Sequence, residues 1–271
     1  ARSLGVREVA GSNPVAPTIN LNRNLNIISG ENVKKILAML VFLLWAACLH
    51  AESVDVNHFL ECPSVSGESG FIYNPSAYSL GYGNLSAGIH KFMFKLNYGF
   101  LDILEAGFTF DYGETSDFVQ ALKNIDVNLK VSFLDEGEYF VKAAAGIENM
   151  PVNLIEGFGD RMSIYAVVSR KMFDWGLNLS AGLKNNIHGN ELKPLDWNFF
   201  ADAAKVINDT ILVITEYEDG NFNAGVKVSI SYNLNVEAYV ERLNQTGGIK
   251  NFGEFLQEHF VFGITFIQKA Y

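Results

Sequence analysis

The chain has 271 residues, 49% hydrophobic and 13% aromatic, with 24 glycines and 6 prolines, a composition that excludes a disordered chain. Beyond residue 51 there are 28 acidic and 15 basic side chains, a net of −13 (15 − 28), which argues against nucleic acid as a partner. Of the two cysteines, Cys48 falls in an export signal and Cys62 stands alone after it, so the mature chain offers neither an internal disulfide nor a zinc site.

Residues 1–32 differ in character from the rest of the chain. Gly5 to Ile19 resembles the product of translating the end of a tRNA gene, with Gly11-Ser12-Asn13-Pro14 encoded by its T-arm; the alternative is a genuine disordered leader. The expected start is Val33, or else Met39. Lys34 and Lys35, an apolar core from Ile36 to Leu49 and a small residue at Ala51 give residues 33–51 the layout of a secretory signal peptide. The core is too short for a stable membrane anchor. Cys48 raises lipidation as an alternative, against which stands the bulky Trp45. Residues 52–83 carry Pro63, Pro75 and several glycines and serines, yet Phe71, Ile72, Tyr73, Tyr78 and Tyr82 are too apolar for a free tail. The segment is expected either to pack in a barrel lumen or across its periplasmic mouth, or to run as a leader strand outside the first hairpin.

From Asn84 onward, alternation takes over. Leu104, Ala106, Phe108, Phe110 and Tyr112 oppose Glu105, Gly107, Thr109 and Asp111, and Val127, Leu129, Val131 and Phe133 oppose Asp126, Asn128, Lys130 and Ser132. Tyr139, Val141, Ala143, Ala145 and Ile147 come after a turn at Asp135-Glu136-Gly137; Trp175, Leu177, Leu179, Ala181 and Leu183 alternate with polar or small residues. Phe222 to Tyr232 and Leu234 to Val240 form a hairpin of the same kind. Each is a strand with one apolar and one polar face. Met162–Lys171 and Trp197–Ile207 alternate less cleanly.

The connections sort by length. Short ones at 99–102, 135–137, 173–174, 208–209 and 233 intervene between long ones at 113–124, 148–161, 185–196 and 244–258; only a tight turn at 219–221 breaks the parity. Short turns on one rim and long loops on the other predict an all-β, antiparallel up-and-down transmembrane β-barrel of about 12 strands (10–14) over residues 84–271, with both termini periplasmic. No apolar run after residue 51 approaches the roughly 20 residues of a membrane helix. Closure is required because a sheet edge in hydrocarbon leaves backbone amides unsatisfied at several kcal/mol each. The last strand, with Phe260, Phe262, Ile264 and Phe266, resembles the C-terminal signal read by the barrel-assembly machinery, with Tyr271 as the candidate final aromatic.

These faces assign Lys95, Glu105, Asp111, Asp126, Lys130, Lys142, Lys184, Glu216, Lys227, Glu237 and Glu241 to the lumen. They assign Phe108, Phe110, Val127, Leu129, Val131, Leu177, Leu179, Val226, Val228, Ile230, Phe260, Phe262, Ile264 and Phe266 to lipid. Tyr112, Tyr139, Trp175, Trp197, Tyr217 and Tyr232 are candidates for the aromatic girdles. The mixed charge of the lumen fits either a salt-bridged, mostly filled interior or a narrow polar channel. His50, His58, His90, His188 and His259 show no metal-ligand spacing, and there is no G-x-S-x-G elbow, P-loop or CxxC. The Glu216–Asp219 cluster reads as a solvated turn rather than a calcium site. No catalytic residue, cofactor or metal is assigned.

Gly70-Phe71-Ile72-Tyr73-Asn74-Pro75-Ser76-Ala77, Gly83-Asn84-Leu85-Ser86 and Tyr98-Gly99-Phe100-Leu101-Asp102-Ile103-Leu104-Glu105-Ala106-Gly107 resemble motifs of the YjbH-like outer-membrane proteins. Asn128-Leu129-Lys130 and Glu216 to Gly220, with Asn223 and Gly225 just beyond, are similar to that family's later strands. The resemblance covers roughly residues 68–240 and implies a Gram-negative outer-membrane barrel, associated in some relatives with exopolysaccharide. It carries over no site residue. The expected function is a non-enzymatic pore or accessory for polar solutes or exopolysaccharide. Its partners would be outer-membrane lipids, the assembly machinery and a polar cargo. The alternatives are a closed structural barrel whose loops bind a partner, and a soluble periplasmic lipid-binding barrel.

Overall fold

A computed structural model describes residues 56–111, 125–152, 162–172, 176–186, 197–207, 210–248 and 252–270. The leader, the signal peptide with Cys48, and the girdle candidates Tyr112 and Trp175 lie outside the described residues. Alternating sequence becomes twelve strands: β1 (Leu85–His90), β2 (Met93–Leu101), β3 (Leu104–Asp111), β4 (Ile125–Leu134), β5 (Lys142–Pro151), β6 (Ser163–Met172), β7 (Leu177–Asn186), β8 (Trp197–Ile207), β9 (Ile211–Glu218), β10 (Asn221–Ser231), β11 (Leu234–Val240) and β12 (Phe260–Gln268). All are antiparallel to their sequence neighbours. The ring closes where β1 pairs with β12, from Leu85↔Gln268 to His90↔Gly263.

The β2–β3, β4–β5, β6–β7, β8–β9 and β10–β11 connections, all short, share one rim with the two chain ends of the barrel. The opposite rim carries the long connections 112–124, 152–162, 187–196 and 241–259. It also carries two tight turns, Lys91-Phe92 and Asp219-Gly220. Asp219 and Gly220 both have positive φ (46° and 78°), the backbone twist a two-residue hairpin needs, and Asp-Gly supplies it at small steric cost. The turn after β4 is longer than the sequence suggests. Tyr139 and Val141 precede β5, which begins at Lys142, because residues 135–139 are drawn into a turn in which Tyr139 N–H donates to Asp135 O (2.9 Å). Within the 241–259 connection lie a 3-10 helix (Leu243–Gly248) and a short α-helix (Phe252–Glu258).

Facing follows the pleat. Phe108, Leu129, Val131, Leu179, Phe262, Ile264 and Phe266 stand exposed on the outer wall, while Phe110, Val127, Leu177, Val226, Ile230 and Phe260 share that wall half-buried. Val228 keeps the register of that wall and is 2% exposed. It has apolar register partners on both sides, Ile211 and Val236, next to the register shift at Ser229/Ser231. Among the described residues, no helix is long and apolar enough to cross a membrane.

Inside the barrel lies the segment from the helix α1 (Val56–Leu60) to Gly83. Its Phe59, Leu60, Cys62, Phe71, Ile72, Ala77 and Leu80 are fully buried. Short-range backbone bonds fold it on itself, Ser64 N–H to Glu68 O (2.7 Å) and Phe71 N–H to Asn74 O (3.0 Å) among them. Apolar side chains of the wall point inward to meet it. Phe59, Leu60, Val65, Phe71 and Ile72 pack with Ala204, Leu212, Ile214, Tyr239 and Val261, and Ala77 packs with Ala144, Tyr165, Val167 and Phe200. This explains the weak alternation of β6 and β8: both faces of those strands must carry apolar residues.

Candidate functional site

The inner segment holds few regular backbone hydrogen bonds of its own, so its amides and carbonyls need partners from the wall. The lumenal charges provide them. The Glu216 carboxylate accepts three consecutive backbone N–H groups: Ile72 (3.0 Å), Tyr73 (2.9 Å) and Asn74 (3.1 Å). Glu105 accepts from Ser69 N–H (2.7 Å), Ser69 Oγ (2.6 Å) and Leu80 N–H (2.8 Å). Lysines take the carbonyls: Lys130 Nζ donates to Ser69 O (2.8 Å) and Tyr78 O (2.9 Å), Lys95 to Ser64 O (2.5 Å) and Lys227 to Gly70 O (3.1 Å). Uncharged side chains and a further carboxyl, Asp202, complete the set. Asn97 donates to Gly67 O (2.7 Å), Asn74 Nδ2 to Asp202 (2.8 Å), Ala77 N–H to Ser169 Oγ (2.9 Å) and Ser132 to Ala77 O (2.8 Å).

The charges also pair with one another. Lys130 is 3.5 Å from Glu105, and Lys184 lies 2.8 Å from Glu148 and 3.1 Å from Glu218. Glu237 gathers His90 (2.7 Å), Thr265 (2.7 Å), Tyr239 and, at 3.9 Å, Lys227. Charged hydrogen bonds of this kind are stronger than neutral ones, and in a buried setting an unmatched partner is costly.

Seven of the sequence-assigned lumen residues are therefore deeply buried on the inner face: Lys95, Glu105, Lys130, Lys184, Glu216, Lys227 and Glu237. The other four sit nearer the rims. Asp111 ends β3 and is half-buried, as is Asp126 near the start of β4; Lys142 opens β5, 3.7 Å from Asp135. Glu241 lies just past β11 and pairs with Lys91 (2.7 Å) and the Tyr73 hydroxyl. The sequence reading missed Asp202, Glu148, Asn74 and Asn97, and the inward apolar set of β8 and β9. A carboxylate amid alanines, as at Asp202, is the signal that marks such a position.

Each mouth of the lumen keeps a small pocket, and each pocket ends on the inner segment. On the long-loop rim a cavity of about 230 Å³ is lined by Tyr73 together with Glu218, Asp219, Glu241 and Arg242. On the other rim one of about 450 Å³ is lined by Glu61, Tyr78 and Ser79 with Asp102, Glu136 and Lys171. There the Tyr78 hydroxyl donates to Glu136 (2.8 Å), and Lys171 Nζ sits 3.9 Å from the Tyr78 ring centre. Burial pushes the Cys62 thiol up to about 12. It also raises the Tyr73 hydroxyl, with Glu241 adding to the effect, and the Tyr78 hydroxyl, with Glu136 adding to it.

A closed, twelve-strand, up-and-down β-barrel with an occupied lumen is the class this topology defines. No family model matches the chain, and no curated protein matches it. Among solved structures it is similar to the KdgM porin, at 8% identity and a TM-score of 0.44 over 69% of this chain and 98% of that one. A Rhodopseudomonas blastica porin mutant gives 12% identity and a TM-score of 0.33 over 65% of this chain. This chain spans 55% of that porin's length. The N-terminal barrel domain of Pseudomonas aeruginosa OprF gives 11% identity and a TM-score of 0.18 over 70% of this chain and all of that one.

Proposed function

We propose that this protein is a non-enzymatic, pore-type barrel of the Gram-negative outer membrane, shut in the state described by its own residues 56–83. The membrane reading is supported by the outer wall, where the exposed large side chains include Phe94, Phe108, Val131, Phe133, Phe199 and Ile264. An apolar surface that wraps a closed barrel fits hydrocarbon rather than water. The single observation that carries the closed state is the seating of the inner segment, whose backbone is held by Glu105, Glu216, Lys95, Lys130 and Lys227. Passage of a polar solute, or of an exopolysaccharide chain as the YjbH-like resemblance suggests, requires that segment to move.

Liposome swelling in a graded series of sugars tests this reading. Folded protein should give no swelling, and a variant with weakened seating, Glu216→Leu with Lys130→Met, should give swelling that falls off with sugar size. Size-dependent swelling by the intact folded protein would overturn the closed state. A variant shown by cysteine labelling to have released the segment, yet still impermeable, would favour a structural barrel instead. Fractionation of the protein into the soluble periplasm would end the membrane reading.

A further inference from the structure

The charges inside the lumen do not balance. Leaving aside Glu241, which pairs with Lys91 at the rim, the buried carboxylates are Glu68, Glu105, Glu148, Asp202, Glu216 and Glu237, against the buried lysines Lys95, Lys130, Lys184 and Lys227. Asp202 and Glu216 also lack a lysine, but the carboxyl of each accepts hydrogen bonds from the inner segment, as that of Glu68 does not. Glu68, on the inner segment and 1% exposed, meets Glu148 of β5, 2% exposed, carboxyl against carboxyl, and beyond that contact neither Glu68 oxygen nor Glu148 Oε2 has a hydrogen-bond partner. The Tyr165 hydroxyl of β6, on a side chain 3% exposed, is likewise without a partner. It occupies the space over Gly146 where a Cβ would stand, two residues along the strand from Glu148 and on the same inner face. Nearby cations are engaged elsewhere: Lys184 bridges Glu148 Oε1 and Glu218, Lys130 pairs with Glu105, and Lys95 donates to Ser64 O.

We propose that a calcium ion binds between Glu68 and Glu148, under the Tyr165 hydroxyl, and fastens the inner segment to the barrel wall. The two Glu68 oxygens and Glu148 Oε2 are hard donors of the kind calcium takes, and water completes the shell, with the Tyr165 hydroxyl as a hydrogen-bond partner for an ion-bound water. Magnesium surrenders its water reluctantly, so an enclosed site on the segment–wall contact favours calcium. An ion there would neutralise two carboxylates that otherwise repel in a medium of low dielectric constant. Among the described residues no three His, Cys, Asp or Glu side chains converge on one point, so the site depends on both carboxylates at once.

The test is calorimetric titration of chelator-treated, refolded protein with calcium chloride and with magnesium chloride at constant pH, and it reads binding rather than flux. One calcium per chain is expected, with magnesium binding weaker, and calcium affinity should fall at least about tenfold in Glu68→Gln and in Glu148→Gln. The exposed-turn variant Asp135→Asn should bind as the parent does, and heat-dependent gel mobility reports whether each variant is folded. Calcium binding unchanged in folded Glu68→Gln would overturn the proposal. So would absence of calcium binding in the folded parent, which would mean that a proton shared by the two carboxylates takes the place of the ion.

Discussion

At the scale of single residues, Glu216 does what no neighbour can. It is 1% exposed and answers three consecutive backbone amides. Replacing it with leucine leaves those donors buried without an acceptor, at about 1–3 kcal/mol each and only partly relieved by relaxation, so Glu216→Leu should cost about 3–5 kcal/mol in denaturant unfolding. Glu216→Gln keeps one acceptor oxygen and should cost less; equal losses in the two variants would show that the amides find other partners. Glu68 makes stability depend on pH. Burial, reinforced by the facing Glu148, holds its carboxyl well above the usual carboxylate range. The folded state thus binds its proton more tightly than the unfolded chain, whose glutamates titrate near about 4.3. Its contribution to stability is greatest below that value and is lost as pH rises through the raised folded-state value. In calcium-free buffer, the parent should lose stability relative to Glu68→Gln across that window. Parallel pH profiles for the two proteins would show that Glu68 is not the group responsible.

At the scale of elements, the inner segment and the wall are fitted at the backbone. Gly99 of β2 is the closest approach: a Cβ there would stand 2.1 Å from Gly81 O and 2.5 Å from Leu80 O. Gly99→Val should therefore unseat the end of the segment without disturbing the outer face of β2. Cys62 reports such a change. It is fully buried with its thiol pushed up to about 12, so at pH 8 it should resist maleimide in a Cys48→Ser background. Labelling should speed up in folded Gly99→Val; equal rates would mean that the segment stays seated despite the clash. How legible all this was depends on the element. β3, β4, β7, β10 and β11 declare themselves because lipid-like and polar residues alternate, β12 by Phe260, Phe262, Ile264 and Phe266 on one face, and twelve strands result. β6, β8 and β9 do not, because Tyr165, Val167, Phe200, Leu212 and Ile214 turn inward onto residues 59–78, a contact remote in sequence. The lumenal charges were visible as a polar stripe. That they grip peptide groups was not, since a backbone amide leaves no mark in a sequence. Residues 52–83 left two options open for the same reason: their apolar content required a partner without naming it.

At the scale of the whole molecule, the two rims differ in the length of chain they carry. The long-loop rim carries the connections 112–124, 187–196 and 241–259, the last holding two short helices, whereas the other rim has turns of a few residues and both ends of the barrel. In outer-membrane barrels short turns face the periplasm and long loops the exterior, so the inner segment, which enters β1 from the short-turn rim, would join the lumen from the periplasmic side. That arrangement makes a definite demand on accessibility. Gln245, exposed in the 3-10 helix of the long-loop rim, should react as Gln245→Cys with a membrane-impermeant maleimide on intact cells. Glu138, exposed in the turn after β4, should react as Glu138→Cys only after the outer membrane is permeabilised. Native Cys62 stays silent in both because it is buried. The reverse pattern would invert the barrel and bring the inner segment in from the cell surface, where displacing it would fall to an extracellular ligand rather than a periplasmic partner. Labelling of both sites on intact cells would mean that the chain does not span a sealed membrane, and the outer wall would then need a protein rather than lipid to cover it.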